Sequence, residues 1–420
     1  MYYAIDFGTS NSLLAAADKD KVYPPIVLDP AAKDPTILRS ILYFPNPKKV
    51  FFGAKAIAEY ASDDMSGRLI RSIKKFLPQK SFVGTFVDNK AFYLEELIAI
   101  FLTEMRRQGN AHFDRDVESV VLGRPARFSA DDAEDRLAQD RLENAAKKAG
   151  FKNIHFCAEP LAAAYGFKHT LTEPKIVLVA DFGGGTSDFT VAKMSPGKTG
   201  ALEVLGIGGV SVAGDAFDGS IMRARIAKHF GADVRYRAPF GSNILTMPIH
   251  LMEKICSPAE ISILRERETQ EFFRNVKGWA LDDTDRKQMD HLYSLIHDQI
   301  GFSLFEAIEG SKRQLSEEET TDFRFRYSDM DLHEVISRKE FENFSRHLQE
   351  KILDSLEETL SQAQLGYKDI DLVCATGGTA KLFSLREALA ARFGQDKIEQ
   401  HRNFHSIVTG LAQVAQDLQN

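Results

Sequence analysis

The sequence predicts an α/β protein built in two halves. In both halves, apolar runs of strand length alternate with amphipathic helical patterns. One short pattern also occurs twice: "YAIDFGTSNS" at residues 3–12 and "VADFGGGTSD" at residues 179–188. Each copy has a short apolar run, an Asp, Phe-Gly and a hydroxyl-rich turn. A chain of 420 residues is long enough for two or more domains.

Residues 1–28 read as strand, turn, strand. A mixed, basic region follows from about Pro35 to Asn110. It holds a helix whose apolar face is Leu94, Leu97, Ile98, Phe101 and Leu102. "SVVLGRPARFS" reads as a buried strand ended by Pro125, since proline cannot donate to a sheet ladder. "DDAEDRLAQDRLENAAKKAG" reads as a long exposed helix stopped by Gly150. A short strand, "NIHFC", then leads into the helix "EPLAAAYGF". "EPKIVLVADFGGGTSDFTVAKM" gives a strand, a glycine turn and a second strand. "ALEVLGIGGVSVAGDAFDGSIMRARIAKHF" adds a strand, a glycine loop and a helix. Residues 220–315 read as mostly helical and charged, around the single tryptophan, Trp279. "FRFRYSD" is read as a short alternating strand pair. "SRKEFENFSRHLQEKILDSLEETLSQAQL" is one long amphipathic helix. "DIDLVCATGGTAKLFSLREALAARFG" is strand, glycine turn, helix, and "HSIVTGLAQVAQDLQ" is a closing helix.

Composition narrows the function classes. The chain is 44% apolar and 27% charged, ordinary for a globular protein, with 53 basic against 60 acidic residues. Its densest basic cluster, "IRSIKKFLP", is too short for a nucleic-acid face. Apolar runs such as "KIVLVADF" are strand-sized and far below a membrane span. A strand begins at once, so no signal peptide is expected. The three cysteines, Cys157, Cys256 and Cys374, lie far apart and suggest neither a metal pair nor a disulfide framework. A reduced, cytoplasmic setting is the expectation.

The repeated turn has a chemical reading. A glycine-rich turn after a buried strand lets backbone N–H groups approach a phosphate chain. The Thr9, Ser10 and Thr186 hydroxyls add donors. Mg2+ keeps several waters and is held through one or two carboxylates, which Asp6 and Asp181 would supply. Two such turns facing each other, one per lobe, would grip a metal-bound polyphosphate from both sides. A third glycine turn, "ATGGTAKLF", suits close approach to a phosphate or adenosine, and equally a plain strand-to-helix turn. The loop "GIGGVSVAGDAFD" reads either as a flexible hairpin or as part of a ligand site.

Taken in order, "IDFGTSNS", "VADFGGGTSDFTVA", "AGDAFD" and "ATGGTAKLF" resemble the phosphate and adenosine motifs of the actin-like ATPase superfamily. More narrowly, the chain resembles the nucleotide-binding domain of the heat-shock protein 70 (DnaK-type) chaperones. "SIKKFLP", "CAEPLAAAYGF", "EGSKRQLS" and "FHSIVTGLAQVA" are similar to that domain's lysine stretch, Glu-Pro helix, adenine-clasping helix and terminal helix. The resemblance covers residues 3 to about 416. It implies an actin-like fold of two lobes, each a mixed sheet flanked by helices, with the nucleotide in the cleft. Lobe I would be residues 1–173 with an inserted subdomain at about 35–112, and lobe II 174–398 with one at about 219–313. Residues 399–420 would return as a helix to lobe I.

The resemblance also implies roles. Asp6 and Asp181 would hold Mg2+ through water. Gly8, Thr9, Ser10 and Asn11 would cradle the phosphates of ATP or ADP, with Gly183, Gly184, Gly185 and Thr186 opposite and Gly214 and Asp215 beside them. Lys74 would place the attacking water and supply positive charge to the transferring phosphoryl group. Glu159 would stand near the metal and Asp188 near that water. On the residues alone, Lys74, next to Lys75, also fits a solvated basic face, and Glu159 a helix-start acid. Glu309, Lys312, Arg313 and Ser316 share one helix face and would clasp the adenine, with Gly377, Gly378 and Lys381 across from them.

Three departures matter. Lys381 stands where the family usually has Arg, and lysine lacks the planar guanidinium that stacks on a base. Arg124 replaces an apolar residue before Pro125, which puts in doubt the signalling that proline serves in the family. The chain ends at Asn420, so the linker and peptide-binding domain are expected to be missing, as in the short, YegD-like branch. The expectation is a solitary chaperone-type ATPase that binds Mg-ATP and hydrolyses it slowly. It would hold no extended peptide and would meet partner proteins or co-chaperones on its lobe surfaces, the 219–313 insert above all. The alternatives are a sugar-type kinase of the same superfamily and a non-turnover nucleotide switch.

Overall fold

The computed structural model describes residues 1–63, 66–168, 171–196, 202–239, 241–298, 300–400 and 405–419. Its two largest sheets each carry one copy of the repeated pattern. The first has the strand order Asn153–Ala158, Ser119–Arg124, Tyr2–Phe7, Asn11–Ala17, Val22–Tyr23, with Leu38–Arg39 also paired to Asn11–Ala17. The second has the order Leu202–Val210, Ser187–Met194, Lys175–Phe182, Leu372–Thr376, Ile398–Gln400.

The two sheets share a local topology. Tyr2–Phe7 pairs antiparallel with Asn11–Ala17 and parallel with Ser119–Arg124. Lys175–Phe182 pairs antiparallel with Ser187–Met194 and parallel with Leu372–Thr376. In both, the Asp is the last residue but one of the incoming strand, opposite Leu13 in one hairpin and Asp188 in the other. The repeated sequence is therefore a repeated hairpin. Both central strands are near-continuous apolar runs because helices cover both faces of each sheet.

One apolar cluster contains residues of both sheets: Ala4, Leu13 and Val121 from the first, Val177, Val179 and Cys374 from the second. Between them pack Ala162, Ala163 and Ala164 of the helix Glu159–Lys168, and Val408, Leu411 and Ala412 of the helix Ser406–Asp417. The two lobes thus share a packed base. Phe404, the first residue of the terminal-helix motif, lies outside the described residues.

Gly410 fixes how closely these helices cross. A Cβ on it would sit 1.7 Å from the Ala162 carbonyl oxygen. Gly410→Ala is therefore expected to push the closing helix off the base and to cost about 1–3 kcal/mol, as overpacking does. Urea denaturation measures this; an unchanged midpoint would show that the crossing has room to relax.

Several elements differ from the sequence reading. The "DDAEDRL" helix, Asp132–Lys148, is not simply exposed. Ala138, Arg141, Leu142, Ala145 and Ala146 are buried, and Asp131 caps it through the Ala133 and Glu134 N–H groups. "FRFRY" belongs to one strand, Thr320–Tyr327, whose partner Met330–Ser337 lies beyond a turn at Ser328 (φ +49°). The basic region contains a three-stranded sheet, Lys49–Phe52, Ile41–Asn46 and Arg68–Arg71, and a hairpin, Gly84–Val87 with Lys90–Tyr93. Residues 220–315 are mainly helical, as the pattern predicts, and they also hold a two-residue strand pair, Arg235–Tyr236 with Leu245–Thr246. Among the described residues, no helix is long and apolar enough to cross a membrane.

Candidate functional site

The two repeated turns face each other at close quarters. A Cβ on Gly184 would lie 2.3 Å from the Ser10 hydroxyl oxygen, and one on Gly185 would lie 2.8 Å from that of Thr9. A side chain at 184 or 185 would have to displace the Ser10 or Thr9 hydroxyl of the opposite turn. Further bonds hold the pair. The Gly183 N–H donates to the Thr186 carbonyl (2.9 Å), closing the second turn, and the Ser40 hydroxyl donates to the Gly8 carbonyl (2.7 Å), fixing the first.

Other elements are stitched to the second turn. The Asp215 N–H donates to the Gly184 carbonyl (2.8 Å), and the Thr379 hydroxyl to the Gly183 carbonyl (2.8 Å). Gly377, at φ +85°, backs onto the Phe182 carbonyl. The loops at 213–215 and 377–379 therefore meet the glycine turn directly.

Acidic groups gather beneath the turns. Asp6, Glu159, Asp181 and Asp188 are all buried. Burial raises the Asp6 carboxyl well above its usual range, and Glu159 and Asp181 add to the rise against Lys74. Burial, with Glu159, lifts Asp181 to about 6 despite the 2.6 Å hydrogen bond from the Thr376 hydroxyl. Burial, then Glu159 and Asp181, lift Asp188 to about 8. Asp188 Oδ1 accepts from the Ala126 N–H (2.7 Å), but Oδ2 has no hydrogen-bond partner among the described residues.

The Lys74 ammonium answers this charge. Lys74 is buried on a 3-10 turn at Ile73–Phe76 and donates to Glu159 Oε1 at 2.5 Å. Its neighbour Lys75 turns the other way and donates to the Ser257 hydroxyl at 3.1 Å. The adjacent lysines therefore divide, and the alternative of a solvated face for Lys74 is excluded.

Four carboxylates buried beside Lys74 are held charged together only at a cost, which either a bound proton or a further cation relieves. The donor set is all oxygen, as Mg2+ prefers. Among the described residues, no group of three or more His, Cys, Asp and Glu could hold a metal ion.

The second cluster lies along the helix Gly301–Leu315. Lys312 is buried; its ammonium donates to the Gly214 carbonyl (3.0 Å) and pairs with Asp218 at 2.8 Å. Burial raises Asp218 to about 6 even against Lys312. Arg313 pairs with Glu309 and keeps its side chain 73% exposed. Burial opposes ionisation of Glu309, yet Lys312, Arg313 and Arg71 hold its carboxyl below the usual range. The Ser316 hydroxyl donates to the Lys312 carbonyl (3.2 Å). Gly378 borders open space, and Lys381 is exposed. Lys312 and Gly214 thus touch, whereas the Arg313 and Lys381 side chains face solvent.

Sequence reasoning missed Ser40, Ser72, Thr376 and Asp218. Ser72 donates across the lobes to Asp215 Oδ2 at 3.2 Å. Only Asp218 left a readable signal: in "GDAFD" it stands three residues after Asp215, on a helix start.

The model of the Hsp70 protein family matches residues 43–238 and 286–418. The chain belongs to the Hsp70 family. Its relatives include the chaperone protein DnaK of Thermosipho africanus, 25% identical over 93% of this chain and 55% of the relative. DnaK of Thermotoga neapolitana is 24% identical over 97% of this chain and 58% of the relative. The chaperone protein HscA of Buchnera aphidicola is 31% identical over 51% of this chain and 36% of the relative. The chain thus spans 36% to 58% of these relatives' own length. Hsp70 family members are ATPases, and the family generally binds ATP or ADP with Mg2+. The family's actin-like fold accounts for the paired hairpins and their facing turns.

Proposed function

We propose that this chain binds Mg-ATP and Mg-ADP between its lobes and hydrolyses ATP slowly, as a chaperone-type ATPase domain. The observation that carries the reading is the buried carboxylate cluster around Lys74, set beneath two glycine turns that touch. Asp6 and Asp181 would hold Mg2+ through water, and the ion would neutralise phosphate charge. The hydroxyls of Thr9, Ser10 and Thr186, and the turns carrying Gly8, Asn11, Gly183, Gly184 and Gly185, would cradle the phosphates, with Gly214 and Asp215 beside them. Lys74 and Asp188 would hold the attacking water from two sides, Lys74 as a donor and the free Oδ2 of Asp188 as an acceptor. Glu159 keeps Lys74 aimed. Glu309, Lys312, Arg313 and Ser316 would line the adenosine side, and Gly377, Gly378 and Lys381 would close it.

The division into lobes 1–173 and 174–398, with 399–420 returning to lobe I, belongs to the same proposal. Partner proteins would dock on the lobe surfaces, chiefly on the 219–313 insert. The exposure of Ile249 (74%) and Ile244 (52%) on that insert supports this.

Calorimetry and single-turnover kinetics test the reading on the 420-residue chain. Wild type should bind Mg-ATP and turn it over without any added acceptor, which separates it from a sugar-type kinase and from a non-turnover switch. Asp181→Ala should weaken Mg-dependent nucleotide binding by about tenfold or more, the scale of a single charge-assisted hydrogen bond. Wild-type affinity together with wild-type turnover in that variant would remove the metal assignment.

A further inference from the structure

We propose that Arg141 is a positioning residue for Lys74; the proposal rests on the ATPase reading above. Arg141 belongs to the helix Asp132–Lys148, away from the site, and contributes to neither glycine turn. It stands on the buried stripe of that helix with Ala138, Leu142, Ala145 and Ala146, where an apolar residue would be expected. A buried arginine needs partners that repay its desolvation.

Its partners are main-chain carbonyls of one short segment. Arg141 Nη1 donates to the carbonyls of Phe76 (3.3 Å), Leu77 (3.0 Å) and Gln79 (2.9 Å). Its Nε lies 3.7 Å from Glu95 Oε1, its nearby counter-charge. The three carbonyls follow directly on the Ile73–Phe76 turn that carries Lys74. The Phe76 and Gln79 carbonyls also accept from the Gln79 and Phe82 N–H groups (3.1 Å each), so the guanidinium ties together carbonyls of successive turns and answers the local dipole.

The other end of the turn is held as well. Ser72 caps it in the left-handed conformation (φ +54°), which a serine adopts only when its surroundings impose it. Its hydroxyl reaches Asp215 Oδ2 in the other lobe at 3.2 Å. Between these held ends the turn presents Lys74 to Glu159. Phe76 and Leu77 are buried in the apolar core and Phe76 stacks on Phe82, while Arg141 supplies the polar anchor in lobe I; removing it loosens the main chain at 76–79 while leaving every phosphate-facing residue in place. A displacement on the order of 1 Å at a reacting centre costs about a hundredfold in rate.

The test uses wild type, Arg141→Met, Arg141→Lys, Lys74→Ala and the double variant Lys74→Ala/Arg141→Met. Arg141→Met should slow single-turnover hydrolysis by about tenfold to a hundredfold. Mg-ATP affinity should stay within about twofold, since only the chemical step is touched. Arg141→Lys, which keeps a donor and the charge, should recover part of the rate. In the Lys74→Ala background the Arg141→Met loss should shrink to about twofold or less, because both substitutions then act through one absent ammonium. A second readout needs no turnover. Acylation of Lys74 by an amine reagent, followed by mass spectrometry, should be slow in wild type and faster in Arg141→Met, with Arg141→Lys between. An Arg141→Met loss that persists undiminished without Lys74, or unchanged Lys74 labelling, overturns the proposal. If wild type itself shows no turnover, the ATPase reading fails, and the labelling arm still decides whether Arg141 positions Lys74. If Arg141→Met does not fold, Arg141→Lys carries the same comparisons.

Discussion

Lys74→Ala is expected to slow single-turnover ATP hydrolysis by about tenfold to a thousandfold while nucleotide affinity stays near wild type. Lys74 is buried, and its ammonium sits 2.5 Å from Glu159 within a group of four carboxylates. A charge placed there acts most strongly where negative charge accumulates during phosphoryl transfer. The same burial creates a second effect that must be separated from the first. Removing the ammonium strands Glu159 as an unpaired buried charge, and breaking a buried pair costs about 3–5 kcal/mol. Lys74→Ala should therefore also lower thermal stability. The double variant Lys74→Ala/Glu159→Gln, which leaves no stranded charge, should recover much of that stability and none of the rate. If single-turnover rates in Lys74→Ala match wild type, the lysine only balances charge, and the mechanism must do without it.

Which features could be read in the chain, and which could not, follows from the range of the forces involved. The two hairpins were legible because their signals are local: a strand-length apolar run, an Asp at its end, then glycines. What glycine is for at 184 and 185 was not legible. The reason is the hydroxyls of Ser10 and Thr9, which come from the far end of the chain. Lys74 and Lys75 are equivalent as sequence; burial against Glu159 separates them. Ser72 and Thr376 enter through contacts that no periodicity encodes, whereas Asp218 left only its spacing from Asp215. Arg141 left a trace, a charge in the apolar stripe of a helix, but its partners are carbonyls some sixty residues away. In the basic region the strands were missed because they are four to six residues long and Pro45 interrupts one of them. The hairpin at 84–93 turns at Asp88 (φ +50°) and Asn89, a pair that the alternation around it was too short to support.

Asp188→Asn is expected to stabilise the metal-free protein at pH 8 and to remove most of its hydrolysis. Burial, then Glu159 and Asp181, push the Asp188 carboxyl up to about 8, against the pull of Thr186 and the Ala126 N–H. An unfolded aspartate titrates at about 3.9. The folded protein therefore binds this proton more tightly than the unfolded chain does, so between the two values stability falls as pH rises. The stabilising contribution is complete below the unfolded value and is lost as pH climbs through about 8. Asparagine keeps the Oδ1 acceptor for the Ala126 N–H and cannot ionise. Its unpartnered amide group costs about 1–3 kcal/mol, less than an unpartnered buried charge. Thermal melts in chelator at pH 6 and pH 8 should show wild type losing more stability between them than the variant, by on the order of a few kcal/mol. Identical pH dependence in the two proteins would mean that another carboxyl titrates there. The functional loss should be about a hundredfold to ten-thousandfold, the range of a general base removed. Wild-type turnover in the variant would leave Lys74 alone with the attacking water. A gain in stability joined to a loss of activity is the signature of a buried charge kept for chemistry, at a cost to the fold that bound Mg2+ and nucleotide offset by mass action.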